Sequence, residues 1–118
     1  MNILVVDDDI DLCAMLSRFL EKNGYRVFSA QDALQAMDVL ERERIGLVIT
    51  DYMMPHMDGI HFTQAVRQDP RYKDLAVIMI TAHPTDELTD RGLRKGVAMT
   101  LSKPIDFDRL LVLVGFAQ

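Results

Sequence analysis

The stretch "LVITDYMMPHMDG", Leu47 to Gly59, decides how this chain is read. A short apolar run ends on a bare acid, Asp51, and gives way to a loop marked by Pro55 and Gly59. An apolar run of that length, bounded by turn residues and containing β-branched side chains, predicts a strand buried on both faces. Packing alone gives such a strand no reason to finish on a carboxylate. The same ending occurs near the N-terminus, where "ILVV" runs into Asp7, Asp8 and Asp9. Acids at these places either cap helices or build a site.

Working outward, short apolar runs alternate with helical periodicity. Asn2 to Val6 predicts a buried strand. Asp9 can cap a helix in which Leu12, Met15, Leu16, Phe19 and Leu20 repeat at three- and four-residue spacing, with Gly24 ending it at C′. Arg26 to Ala30 predicts a half-buried strand. Ala33, Met37 and Leu40 mark a second helix running to about Arg44. Leu47 to Thr50 is the third strand, and Gly59 to Gln68 a third helix closed by Asp69-Pro70. Ala76 to Thr81 is the fourth strand. Asp86 to Lys95 is a polar fourth helix ended by Gly96. Met99 to Ser102 is the fifth strand, and Asp106 to about Ala117 a fifth helix with Phe107, Leu110, Leu111 and Val114 inward. Five strand-then-helix repeats imply an α/β fold: a single doubly wound (βα)5 sandwich with a parallel sheet. Its 118 residues suit one domain, 1–118, with no internal repeat or linker.

The bulk composition narrows the function. Half the residues are apolar and a quarter charged, as in an ordinary globular domain. The single cysteine, Cys13, precludes an internal disulfide and fits a reducing compartment. Only five apolar residues precede the first acids, too few for a signal peptide core or a membrane span, so a cytoplasmic address is expected. The net charge is -5 and no basic run is present, which speaks against direct nucleic acid or membrane partners.

In doubly wound sheets, ligands sit at the carboxyl ends of the strands. Asp7, Asp8, Asp51, Thr81 and Lys103 all fall at or just past such ends. Neighbouring strands lie about 5 Å apart. At that spacing each pair of carboxylates repels by on the order of 3 kcal/mol at an effective dielectric near 20. Lys103 supplies one counter-charge, and a divalent cation supplies the rest. An all-oxygen ligand set suits Mg²⁺, with Mn²⁺ as its substitute, better than zinc or copper. Such a site has room for a phosphoryl group. Lys103 can meet one oxygen as a point charge, the Thr81 hydroxyl can donate to another, and Asp51 can act as nucleophile.

Taken together, "ILVVDDD" at 3–9, "DYMMPHMDG" at 51–59, "TA" at 81–82 and "KP" at 103–104 resemble the receiver domain of bacterial two-component response regulators. The resemblance runs through the whole chain, and four motifs in this order are highly specific. It implies a flavodoxin-like fold with strand order 2-1-3-4-5. It implies Asp51 as phosphoacceptor, Asp7 and Asp8 as the acidic pair that holds Mg²⁺, and the Met53 carbonyl as a further metal ligand. Thr81, Ala82 and Lys103 resemble the phosphate-binding and switch residues, and Lys103–Pro104 a bond that is cis in the family. Met53 and His83 correspond to positions that modulate phosphoryl lifetime in the family. Thr100 departs from the pattern, because the family carries Tyr or Phe there. The signal is therefore expected to leave through the loop Ala82 to Glu87, with weak coupling to the fifth strand.

The implied partners are a sensor histidine kinase or histidine phosphotransfer protein as donor, and an output domain or downstream protein as receiver of the signal. A phosphorylation-dependent dimer is compatible with this. No activity is implied beyond the chain's own phosphorylation and dephosphorylation. Two rivals stand beside this reading. One is a small Mg-dependent phosphatase using Asp7 and Asp9, opposed by Ile10 where that motif continues into Gly or Thr. The other is a receiver-like interaction module that is never phosphorylated, opposed by the complete set of acids and lysine. Helix capping explains Asp9, and Cys13 reads as inert core.

Overall fold

The computed structural model describes residues 1–117. Its elements are β1 (Asn2–Val6), α1 (Ile10–Lys22), β2 (Arg26–Ala30), α2 (Ala33–Arg42), β3 (Leu47–Asp51), α3 (Gly59–Arg67), a 3-10 turn (Pro70–Tyr72), β4 (Ala76–Thr81), α4 (Asp86–Arg94), β5 (Met99–Ser102) and α5 (Phe107–Phe116). The five strands are parallel, in the order β2-β1-β3-β4-β5. The doubly wound sheet predicted from the alternation is therefore present. The 3-10 turn lies outside the strand–helix alternation. Asp69 caps it by accepting from the Arg71 amide at 2.9 Å.

Alternation along the strands divides the core in two. Leu4, Val6, Val48, Val77 and Met79 face α2 and α3, and pack on Ala36, Leu40, Ile60, Phe62 and Val66. Ile3, Val5, Leu47, Ile49, Ile78 and Ile80 face α1 and α5, and pack on Leu16, Leu20, Leu110 and Val114. The central strands β1 and β3 are covered on both sides, which is why they read as continuous apolar runs. The edge strand β2 is only partly covered.

All five helices start on a polar cap that follows a strand or its loop. Asp9, Asp32, Asp58, Thr85 and Asp106 accept from the amides of Leu12, Gln35, His61, Leu88 and Arg109 at 2.8–3.1 Å. Gly24 stands just past α1 with φ +92, where an L side chain would be strained.

One inward position of α1 differs from the periodic reading. Met15 is 53% exposed, and Cys13 is buried in its place. Around a helix of 3.6 residues per turn, Met15 lies about 100° from Leu16, whereas Cys13 lies about 60° from it. In α5, Leu113 packs against the same core from a half-buried position.

Gly59 opens α3 against the end of β3. Its amide donates to the Tyr52 carbonyl at 2.7 Å, and an added Cβ would fall 2.5 Å from the Asp51 carbonyl oxygen. Gly59→Ala is expected to lower stability by about 1–3 kcal/mol through overpacking. Gly115→Ala, in open space on α5, should raise it by about 0.5–1 kcal/mol. Urea unfolding of the two variants checks both signs.

Candidate functional site

The site arises from register. β1 and β3 pair as Ile3↔Leu47, Val5↔Ile49 and Val6↔Thr50. Continued by one residue, the ladder sets Asp7 beside Asp51. Both share the parity of Ile3, Val5, Leu47 and Ile49, so both carboxylates emerge on the α1/α5 side of the sheet. Lys103 has the parity of Leu101 on β5 and reaches back over the same side. Its Nζ lies 3.3 Å from Asp7 Oδ2 and 3.3 Å from Asp51 Oδ1. The Lys103–Pro104 peptide is cis, and the Lys103 amide donates to the Thr81 carbonyl at 2.8 Å.

Asp8 completes the group from an exposed position. One carboxylate oxygen each from Asp7, Asp8 and Asp51 lie within 4.8 Å of one another. Oxygens held by one small cation at about 2.1 Å sit at most about 4 Å apart, so the cluster is close to the span such an ion requires. The all-oxygen set suits a hard divalent cation.

Asp7 and Asp51 are 3% and 7% exposed, so their charges are poorly hydrated. Burial, followed by the Asp7 charge, pushes Asp51 up to about 6 against the pull of Lys103. Burial also raises Asp7, although the Asp9 amide, donating to Asp7 Oδ1 at 2.9 Å, and Lys103 both oppose it. Lys103 shows the reverse balance. Burial works against its ammonium, but Asp51 and Asp7 outweigh that and raise its pKa. One lysine thus leaves two buried carboxylates under-compensated, and that deficit is what a cation would fill.

The other expected positions lie around this centre. The Thr81 hydroxyl is buried at the end of β4 and accepts from the His83 amide at 3.3 Å. The loop after β4 is residues 82–85; Asp86 and Glu87, expected in it, form the first turn of α4, and all six residues are exposed, as is the Met53 side chain. Thr100 sits on β5 opposite Met79, short of the level of Thr81 and Ser102. His56 is exposed with φ 72, and His61 pairs through Nδ1 with Asp58 at 2.8 Å on α3. Asp9 is engaged as the α1 cap, and the carboxylate cluster contains Asp8 rather than Asp9.

Several supports were not visible in the sequence. The Cys13 thiol, pushed up to about 11 by burial and then by Asp7, donates to the Asp7 carbonyl at 3.3 Å. The buried Thr50 hydroxyl donates to the Asp51 carbonyl at 3.0 Å. The Tyr52 amide donates to the Ile80 carbonyl at 2.8 Å, and its hydroxyl accepts from Arg91 at 3.0 Å. Strand alternation would have flagged Thr50 as an inward polar residue. No periodic signal joins Tyr52 to Arg91.

Over residues 3–115 the chain matches the family described as the response regulator receiver domain. It is 36% identical over 111 residues to a probable chemotaxis protein CheY of Rhizobium etli, covering 93% of this chain and 86% of that one. It is 36% identical over 115 residues to response regulator Rre1 of Synechocystis, covering 97% of this chain but 50% of the relative, about half that protein's length. Among solved structures, the chemotaxis response regulator CheY4 of Vibrio cholerae aligns with a TM-score of 0.92 at 32% identity, over 99% of this chain and 98% of that one.

The raised Asp51 has a measurable sign. An unfolded aspartate titrates near 3.9, whereas folded Asp51 titrates at about 6. Between those values the folded chain keeps a proton that the unfolded chain has lost. Stability therefore falls as pH rises through that window and stays low above it. Without metal, Asp51→Asn should be more stable than wild type at about pH 7.5 by on the order of 1–3 kcal/mol, and the gap should close toward about pH 4. Urea unfolding at the two pH values reads the difference.

Proposed function

This chain belongs to the response regulator receiver domain family, and we propose that Asp51 is the residue by which it receives its signal, as a phosphoryl group. The observation that carries this reading is the setting of Asp51. Its carboxylate is buried at the end of β3, paired with Lys103 at 3.3 Å and set among the other two acids. The donor is a phosphohistidine on a sensor histidine kinase or histidine phosphotransfer protein. An Asp51 carboxylate oxygen attacks phosphorus, a P–O bond forms, and the P–N bond breaks with its electron pair leaving on the imidazole. Water later attacks the acyl phosphate at phosphorus, releasing inorganic phosphate and restoring Asp51.

The surrounding residues have distinct tasks. Lys103 pairs with one phosphoryl oxygen and holds the charge that develops there. The Thr81 hydroxyl donates to a second oxygen, and the Ala82 amide to the same group. Asp7, Asp8, Asp51 and the Met53 main-chain carbonyl hold Mg²⁺ or Mn²⁺, whose charge, when bound, offsets repulsion between these acids and an incoming phosphate. Met53 and His83 flank the approach of water. The unit of this function is residues 1–118, acting in the cytoplasm as a switch rather than as an enzyme on a separate substrate. The exposed loop 82–85 joins Thr81 to α4, and the segment Ala82 to Glu87 carries the change to an output domain or downstream protein. A phosphorylation-dependent dimer is compatible with such an output.

Acetyl phosphate with Mg²⁺ should add the mass of one phosphoryl group to the intact chain, and Asp51→Asn or chelation of the metal should abolish the addition. Labelling that persists in Asp51→Asn at the wild-type rate would place the acceptor elsewhere. Asp8→Asn should weaken Mg²⁺ binding by at least about tenfold, since even outer partners of a metal site are worth that much. Titration of Mg²⁺ by calorimetry measures it.

A further inference from the structure

Tyr52 follows Asp51 directly, and its backbone is fixed on two sides. Its amide donates to the Ile80 carbonyl at 2.8 Å, and its carbonyl accepts from the Gly59 amide at 2.7 Å. Its ring lies half-buried against the α2/α3 core. From this fixed post the hydroxyl reaches α4, where Arg91 Nη2 donates to it at 3.0 Å.

Helix α4 has little else to hold it along its length. Gly92 is its only fully buried residue, and Leu88 packs on the core from a half-buried position. Leu93 is exposed. The helix is anchored firmly just past its C-terminal end. There the Arg67 guanidinium donates to the carbonyls of Tyr72 at 2.6 Å and Gly96 at 2.7 Å. Its N-terminal end, Asp86 and Glu87, is exposed and follows the exposed loop 82–85. A helix fixed at one end, loose at the other and tied in between by one polar bond can pivot.

We propose that the Arg91–Tyr52 hydrogen bond is a latch that holds α4 in its unphosphorylated position, with Tyr52 as a positioning residue that couples α4 to the acceptor next to it. This rests on the reading of Asp51 as phosphoacceptor. When the Thr81 hydroxyl turns toward a phosphoryl group on Asp51, loop 82–85 follows and draws the first turn of α4. The Gly96 end stays put, Arg91 swings away from the fixed Tyr52 ring, and the bond opens. Opening the latch and loading Asp51 then favour the same arrangement. By linkage, removing the latch must tighten binding of a phosphate mimic.

The test uses the full chain with Tyr52→Phe, which removes only the hydroxyl, Arg91→Met, and the double variant. In the unmodified, metal-free chain, amide hydrogen exchange in residues 86–94 should rise about 3- to 10-fold in Tyr52→Phe, the worth of one hydrogen bond. Exchange in β1 should stay at the wild-type rate. The concentration of beryllofluoride, with Mg²⁺, needed for half-saturation should fall by a similar factor. The double variant should match the single ones, because all three lose the same bond. Unchanged exchange in α4 together with an unchanged midpoint overturns the latch, and so does an equal rise in β1, which would mark general loosening. A wild-type chain that takes up no beryllofluoride overturns the acceptor reading instead, while the exchange comparison still decides whether the latch exists.

Discussion

Two carboxylates, Asp7 and Asp51, stand side by side at the end of a buried parallel ladder and share one ammonium, that of Lys103. Neither is well hydrated; burial raises the pKa of both, and both raise that of Lys103. In a chain selected for stability alone, apolar residues of similar size would fill these positions at lower cost. The unbalanced charge therefore marks where the fold holds free energy in reserve. A cation bound among these acids would release that reserve.

The rest of the architecture keeps the two acids from relaxing apart. Asp7 Oδ1 is held by the Asp9 amide, and the Asp7 carbonyl by the Cys13 thiol. The Asp51 carbonyl is held by the Thr50 hydroxyl, and Gly59 leaves it the space that a Cβ would take. Asp9 and Gly59 are also the places where α1 and α3 begin. Capping and site-building are joined here: Asp9, which caps α1, also holds the Asp7 carboxylate through its amide. This geometry comes from rigid elements, whereas the parts suited to move, residues 82–87 and α4, carry few buried side chains.

Most of the architecture was legible because it rests on short-range rules. Strand–helix alternation, polar caps and the apolar runs of β1 and β3 are each written within a few residues. The cluster of Asp7, Asp8, Asp51 and Lys103 was legible because acids that end buried strands have no packing role to explain them. What stayed hidden depends on three-dimensional placement. Met15 and Cys13 differ by about 40° in angular distance from the helix stripe, too little for spacing alone to separate. The Tyr52–Arg91 and Arg67–Gly96 bonds join residues far apart in sequence whose types are common on any surface. The strand order followed from family resemblance, since alternation alone leaves several windings of five strands open.

The ladder between β1 and β3 has a further consequence, for how such a chain can change over evolutionary time. Because side chains alternate, deleting or adding a single residue within either strand would turn one of the two acids to the opposite side of the sheet. A change of length in residues 43–46, before β3 and at the other end of that strand from Asp51, leaves the register intact. Room for a change of length and the placement of the chemistry thus fall on opposite rims of one small sheet.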